Sequence, residues 1–415
     1  MDHPKMKYTY VGMDSHKDTH TAVFLNCFFE KRGQITFENI PSKFGGFLSE
    51  AHALKQEGTT LLFGLEDVSA YGRSLTVFLL DHGQRVKHTP PLLVARERKN
   101  RNTQEKTDAV DAECAARVLL SSFDTLPDAD PQDKYMALRT LVVRRAAIVK
   151  NNIALKNQLH MLIMSHYPSY TKFFAKIDTN TALTFFKEYP SPSALAGTTE
   201  EALTDMLVQL SGGNITADKA GAICRRIKQD GNTETDHQEI RDFSVQSIIR
   251  QIQFNTCEAD HIEQSMEGFL KHFDCTLISM KGIDVVTAAH LLSCIGDIKK
   301  FAAPAKLARY AGIAPVTYAS GKKDIQYANQ RGNRELGAIF YAIAVRLTMT
   351  IGKQNKVMNP FFYDYYHRKM AEGKTKRQAL KCVQRRLVNI IWTMLTYGEE
   401  YVNPPMYDLP KETKS

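Results

Sequence analysis

The 415 residues contain no CxxC pair, no apolar run long enough to span a membrane, no tandem repeat and no low-complexity tract. Their seven cysteines stand singly at 27, 114, 224, 257, 275, 294 and 382, an odd and scattered set that excludes a disulfide frame and a zinc module. The opening MDHPKMKYTY lacks the apolar stretch of a secretory signal, so a cytoplasmic protein with no membrane partner is expected. Acidic residues are in deficit, 45 against 54 Lys and Arg, and the net charge of +9 suits a polyanionic partner. Hydrophobic content of 43% with 24% charged residues is that of a globular chain, and its length implies two or three cores.

The positive charge is clustered. From Arg85 to Lys106 seven Lys or Arg face two Glu, and from His367 to Arg386 eight face Glu372 alone. Either run could be a solvated helix face, but two clusters of one sign favour phosphate neutralisation and hence nucleic acid.

Residues 7–125 read as βββαβαβα. YTYVGMD, THTAVFLNC and QITFENI are strands, followed by the helix KFGGFLSEAHALKQ, the strand TLLFGLEDVS, the helix AYGRSLTVFLLDHG, the strand QRVKHTP and the helix DAVDAECAARVLLSS. Three antiparallel strands followed by parallel crossovers predict a mixed sheet of the ribonuclease H type, with other α/β folds left open by the order alone. The middle is helical. Positions 138, 141, 145, 148, 152, 155, 159 and 162 form a heptad seam interrupted by Arg145 and Asn152, and a second arm runs from Val245 to Phe273. These arms could pair within the chain or dimerise as a coiled coil, with a small helical insert at 170–235 between them. From 276 the segment around KGID reads as two helices flanking Gly282, either a DNA-contacting helix-hairpin-helix or an ordinary helical hairpin. The expected domains are 1–127, 128–275 and 276–402, with a loose tail at 403–415.

Asp14 and Glu66 close strands that are parallel neighbours in such a sheet, and EKTDAVDA places Asp108 and Asp111 one turn apart at the start of the helix crossing that edge. Like charges at this spacing weaken a helix. One reading is local, with Asp108 as N-cap and Asp111 as a first-turn acid favoured by the helix dipole. The other is that four carboxylates converge to hold two divalent cations, the arrangement used for phosphodiester displacement. His16 and His20, some 13 Å apart if extended, are too far apart to share an ion and read as solvated (about 3.3 Å per residue). Asp67 alternates away from Glu66 and reads as structural. Trp392 reads as core, while Tyr363, Tyr365 and Tyr366 beside Arg368 and Lys369 fit base stacking or a helix flank equally.

The motifs VGMDSHKD, GLED and KTDAVDA, together with MKGIDVVTAAHLL, YASGKKD and NQRGNREL downstream, resemble the DEDD transposases, an insertion-sequence family related to Piv-type invertases. The resemblance covers roughly 8–120 and 276–398. It implies an RNase H-like (RuvC-like) N-terminal domain, a mostly helical C-terminal transposase domain, and a recombinase guided by a structured noncoding bridge RNA that pairs with donor and target DNA. It further implies catalysis by Asp14, Glu66, Asp108 and Asp111 with Mg²⁺, and by Ser320 as a nucleophile that becomes linked to DNA. On the residues alone Ser320 reads as a turn residue; an attacking serine would need activation.

Nucleic-acid contacts are expected at Arg96, Arg98, Lys99, Arg101 and Lys106, at Lys281 and Gly282, and at Gly321, Lys322, Lys323, Arg331 and Arg334. A homo-oligomer, dimer or tetramer, associated with the nucleoid is expected, because strand exchange needs four cuts. The alternatives are a Mg²⁺-dependent Holliday-junction-type nuclease in which water attacks, a DNA invertase, and a binding protein without chemistry.

Overall fold

The computed structural model describes residues 3–68, 70–101, 107–131, 134–320, 323–327, 329, 332–352 and 356–402. It divides into two units, Met1–Met136 and Ala137–Ser415.

In the first unit the alternating N-terminal segments form β1 (Tyr8–Ser15), β2 (Thr19–Leu25) and β3 (Lys31–Glu38), followed by α1 (Pro41–Leu54), β4 (Thr60–Leu65), α2 (Arg73–Asp81), β5 (Arg85–His88), α3 (Pro91–Asn100) and α4 (Asp108–Ser122). The sheet order is β3-β2-β1-β4-β5. β1 runs antiparallel to β2 and parallel to β4, so the mixed sheet expected from the element order is present. β1 is buried on both faces. Val11 and Met13 pack with Phe44, Phe47 and Leu75 of α1 and α2, whereas Tyr10 packs with Ala112, Ala116 and Leu119 of α4. α3 was not expected, because its apolar residues are bunched at Leu92–Val94 and make no helical stripe; only Val94 is buried. The unit continues past β5 through Lys87, whose ammonium lies 2.8 Å from Asp128, and through Ala129, whose N–H donates to Val86.

Gly12 sets how closely α4 approaches the sheet. A Cβ there would lie 2.1 Å from the Ala112 carbonyl oxygen and 2.1 Å from the Ala116 nitrogen. Gly12→Ala therefore lifts the helix that carries Asp108 and Asp111. Destabilisation of about 3 kcal/mol, the upper range for overpacking, is expected in denaturant melts. A loss of DNA cutting larger than the unfolded fraction explains should accompany it.

The second unit opens with α5 (Lys134–His166) and continues through the short helices α6 (Asn180–Glu188), α7 (Glu200–Leu210) and α8 (Ala217–Asp230) to α9 (Gln238–Leu270). α5 and α9 pair antiparallel within the chain: Arg145 bonds Glu263 at 2.7 Å, and the Asn255 amide donates to Asn152 at 2.9 Å. Asn152, a polar break in the seam, thus finds its partner on the other arm. The buried stripe of α5 includes Leu138, Val142, Ile148, Leu155, Leu159 and Ile163, so the expected 141 and 162 give way to the next residue. A 3.6-residue helix drifts from a 3.5-residue repeat in this way.

α10 (Val285–Ile295) is preceded by a three-residue 3-10 turn at Leu277–Ser279 where a full helix was expected. Gly282 takes φ +104° in the connection, and Asp284 caps α10 by accepting from the Thr287 N–H at 2.8 Å. The remaining elements are α11 (Pro304–Tyr310), β6 (Val316–Ser320), β7 (Lys323–Tyr327), α12 (Arg334–Leu347), β8 (Thr350–Ile351), β9 (Lys356–Val357), α13 (Pro360–Ala371) and α14 (Lys376–Tyr397). Arg346 of α12 holds the KGID turn by donating to the Gly282 carbonyl at 2.9 Å. Trp392 is half-buried, its indole N–H donating to Phe301 at 2.9 Å. Among the described residues no helix is long and apolar enough to cross a membrane.

Glu335 ties α12 to α5 and α10, accepting from Arg139 at 2.9 Å and lying 2.6 Å from His290. The Arg139 hydrogen bonds hold its pKa down at about 2. The ionised form is therefore favoured in the folded state. Its stabilisation is complete above the ordinary glutamate range and is lost as pH falls through that range toward 2. With its side chain 42% exposed, water screens the pair, and Glu335→Gln should cost about 1 kcal/mol at neutral pH. The difference should vanish in melts near the folded-state pKa.

Candidate active site

Asp14 is the penultimate residue of β1, and Glu66 follows the last residue of β4; because the strands are parallel with Met13 opposite Leu65, both carboxylates leave the same sheet edge. Asp108 and Asp111 lie in the first turn of α4. Capping is done by Thr107, whose hydroxyl accepts from the Val110 N–H at 3.3 Å, so Asp108 is not the N-cap that a local reading would make it. Asp108 is exposed, whereas Asp111 is largely covered.

The four acids feel one another. Burial raises the Asp14 pKa above the ordinary range, and Asp108 and Asp111 raise it further, with His16 opposing. Glu66 is raised by burial first and then by Asp14 and Asp111, while Arg98 opposes. Asp14 and Asp111 side chains are each only 16% exposed, so this repulsion is poorly screened.

Two side chains answer the acids. His16 Nε2 lies 3.1 Å from Asp14 and 3.3 Å from Asp108, and Arg98 of α3 pairs with Asp111. Ligand atoms of Asp14, His16 and Asp108 fall within 4.8 Å of one another, a grouping that could hold a metal ion. His16 is where the sequence reading fell short. Two residues beyond Asp14 on an extended segment, it shares that residue's face, a signal overlooked because His16 was weighed only against His20. His20 itself is not solvated: it is fully buried against Phe37 and Phe44, and desolvation lowers its pKa. Asp67 is structural in its contacts, accepting from the Ala70 and Tyr71 N–H groups at 2.8 Å.

Of the residues expected to contact nucleic acid, Arg96 and Lys99 are exposed on α3, and Arg101 pairs with Glu113 at 3.1 Å. Lys281 and Arg334 are exposed in the second unit, and Gly282 lies in the KGID turn. Lys106, Gly321, Lys322 and Arg331 lie outside the described residues. Ser320 closes β6 directly opposite Lys323, the first residue of β7. Tyr365 is flanked by its own chain's cations, with Arg368 5.3 Å and Arg386 5.4 Å from the ring centroid.

A second grouping, His290, Cys294 and Glu335, also brings ligand atoms within 4.8 Å. Arg139 reaches both Cys294, at 3.2 Å, and Glu335, so a cation already fills that position.

A transposase model of the DEDD type named for IS110 matches residues 11–168, and a model described as transposase of the IS116/IS110/IS902 family matches residues 275–362. The chain is 27% identical over 393 residues to the insertion element IS116 44.8 kDa protein of Streptomyces clavuligerus, covering 93% of this chain and 94% of that one. It is 25% identical over 409 residues to the pilin gene-inverting protein of Moraxella bovis, covering 95% and 98%. An acidic cluster on a mixed sheet, with these matches on both halves of the chain, defines a DNA transposase or recombinase with an RNase H-like domain. The chain belongs to the IS110/IS116 family of insertion-sequence transposases.

Proposed function

We propose that this transposase cuts and rejoins DNA through a covalent link at Ser320, with Mg²⁺, as two ions, held by Asp14, Glu66, Asp108 and Asp111, and with a bridge RNA that pairs with donor and target DNA. The observation that carries the reading is that Asp14 and Glu66 leave one sheet edge and that Asp14, His16 and Asp108 bring ligand atoms within 4.8 Å of one another, with Asp111 one turn along the same helix start. The residues fit the ion: the donor set is dominated by hard carboxylate oxygens, and burial has raised two of them in a way that a divalent charge would reverse. When bound, the metal supplies positive charge to the attacking and departing oxygens of the phosphodiester.

The serine hydroxyl oxygen forms a new P–O bond as a backbone P–O bond breaks; the departing oxygen takes a proton, and the hydroxyl proton is released. One phosphate ester is exchanged for another, so rejoining needs no external energy. Exchange of two duplexes takes four such steps, which supports a dimer or tetramer. Similarity to a pilin gene-inverting protein over 95% of this chain favours inversion as the second reading of the same chemistry.

The test uses purified full-length protein and labelled DNA carrying the element's ends, with Mg²⁺ or EDTA, before and after RNase treatment. Cutting that needs both Mg²⁺ and the co-purifying RNA is the expected result. Undiminished cutting after RNase overturns the guide RNA, and undiminished cutting in EDTA overturns the metal.

A further inference from the structure

The second basic run ends up on α14, where its charge is poorly answered by the protein. The single acid of that run, Glu372, is engaged by Lys369 at 2.8 Å and Lys374 at 3.6 Å. Lys376 and Arg377 occupy the first turn of α14, where the helix dipole is already positive. Arg377 and Lys381 follow at i and i+4 on one face, a like-charged pair that weakens a helix. Lys381 donates to the Gly312 carbonyl at 3.2 Å, and desolvation, then the Arg377 charge, lowers its pKa.

These cations line a cavity of about 880 Å³ between α14 and the start of α12. Arg334, Lys376, Arg377 and Lys381 line it, and among the described residues no Asp or Glu does. Gln384 lines it too, only 4% exposed, and its side-chain oxygen has no hydrogen-bond partner among the described residues. Tyr341, 49% exposed, supplies a ring at the wall.

A fully deprotonated inorganic anion would answer the cations but would leave the Gln384 oxygen without a donor, because it has neither N–H nor O–H to give. A buried acceptor without a donor is costly. The ligand that satisfies both carries an anion and an N–H donor on one frame, as a nucleotide does. In a duplex those N–H groups are committed to pairing, whereas an unpaired base can enter a pocket and stack. The volume is of the size that small-molecule sites occupy.

We propose that this cavity holds one unpaired nucleotide of the DNA substrate, its phosphate on Arg334, Arg377 and Lys381, its base beside Tyr341 and donating to Gln384. The choice of DNA rests on the transposase assignment, since strands must part to be exchanged; the cavity itself is separate from the acidic cluster.

The experiment is fluorescence anisotropy of full-length protein carrying Asp14→Asn, in EDTA, so that failure of the catalytic reading cannot affect it. The probes are a labelled single-stranded DNA, its duplex, and an RNA of the same sequence. Arg377→Ala with Lys381→Ala should weaken single-strand binding about tenfold or more and shallow the log-log salt slope by about 0.7, one phosphate contact's worth. Gln384→Met, close in shape, should narrow the preference for single strand over duplex. Because residues 377 and 381 are exposed, their variants stay folded and keep the test decisive even if Gln384→Met does not. Single-strand binding equal to that of the parent protein in the double variant overturns the site. Tighter binding of the RNA, lost in the same variant, overturns DNA as its occupant.

Discussion

Asp14→Asn lowers strand cutting by about 10³-fold or more while leaving the fold intact, the scale on which removal of a charge-stabilising group acts in a water-poor site. Asp14 is coupled to every other member of the acidic cluster: it raises Glu66, and Asp108 and Asp111 raise it. The amide keeps the side chain's shape and an oxygen for His16, so what is removed is the charge. The consequence for stability has the opposite sign. The folded state holds the Asp14 pKa above its ordinary value, so the native protein keeps this proton longer than the unfolded chain does. Ionisation therefore weakens the metal-free fold as pH rises from the ordinary carboxylate range through the raised value. The neutral variant escapes that penalty. In EDTA at neutral pH it should melt at or above the wild-type temperature. Adding Mg²⁺ should raise the wild-type melting temperature by several degrees, as ligand linkage requires, and should move the variant much less. Thermal shift with and without the ion, beside a cutting assay, checks both; cutting within tenfold of wild type would remove Asp14 from the active site.

The first domain was more legible than its site. α4 begins and ends where its motif was read, Asp108 to Ser122, because an acidic first turn precedes a continuous run of small and apolar residues. The strands were legible from alternation, and their ends located Asp14 and Glu66. The partners of the acids were not legible. α3 has no apolar period, so nothing in the sequence said that Arg98 would reach back to Asp111. His16 needed both the alternation rule and a helix start more than 90 residues away. His20 lies past the turn on β2 and goes inward against Phe37 and Phe44, a tertiary fact. In the second unit the existence of the long arms was readable, but their pairing was not. A heptad seam says that a partner exists, and the contacts of Arg145 with Glu263 and of Asn152 with Asn255 say that the partner is the same chain. The KGID segment misled through composition, since apolar residues before a glycine suit a 3-10 turn as well as a helix end.

Ser320→Ala should abolish a covalent protein–DNA adduct, and with it cutting, by about 10³-fold or more, if serine is the attacking group. Its backbone position is the last residue of β6, opposite Lys323. A serine hydroxyl is a weak nucleophile at its own pKa, so the same position filled by a turn residue is chemically inert without help from metal or base. The measurement that separates these cases is a denaturing gel of labelled DNA with wild type, Ser320→Ala and Asp14→Asn. A retarded, protease-sensitive band in wild type alone assigns the attack to the serine and makes the acids necessary for it. An adduct that persists in Asp14→Asn but not in Ser320→Ala would uncouple the acids from the attack and limit them to a later step. Free cut DNA of equal yield in wild type and Ser320→Ala, with no retarded band, would make water the nucleophile. The chain would then act as a metal-dependent nuclease on the same four carboxylates, and the exchange of one phosphate ester for another, which lets strands rejoin without an energy source, would have to be abandoned with it.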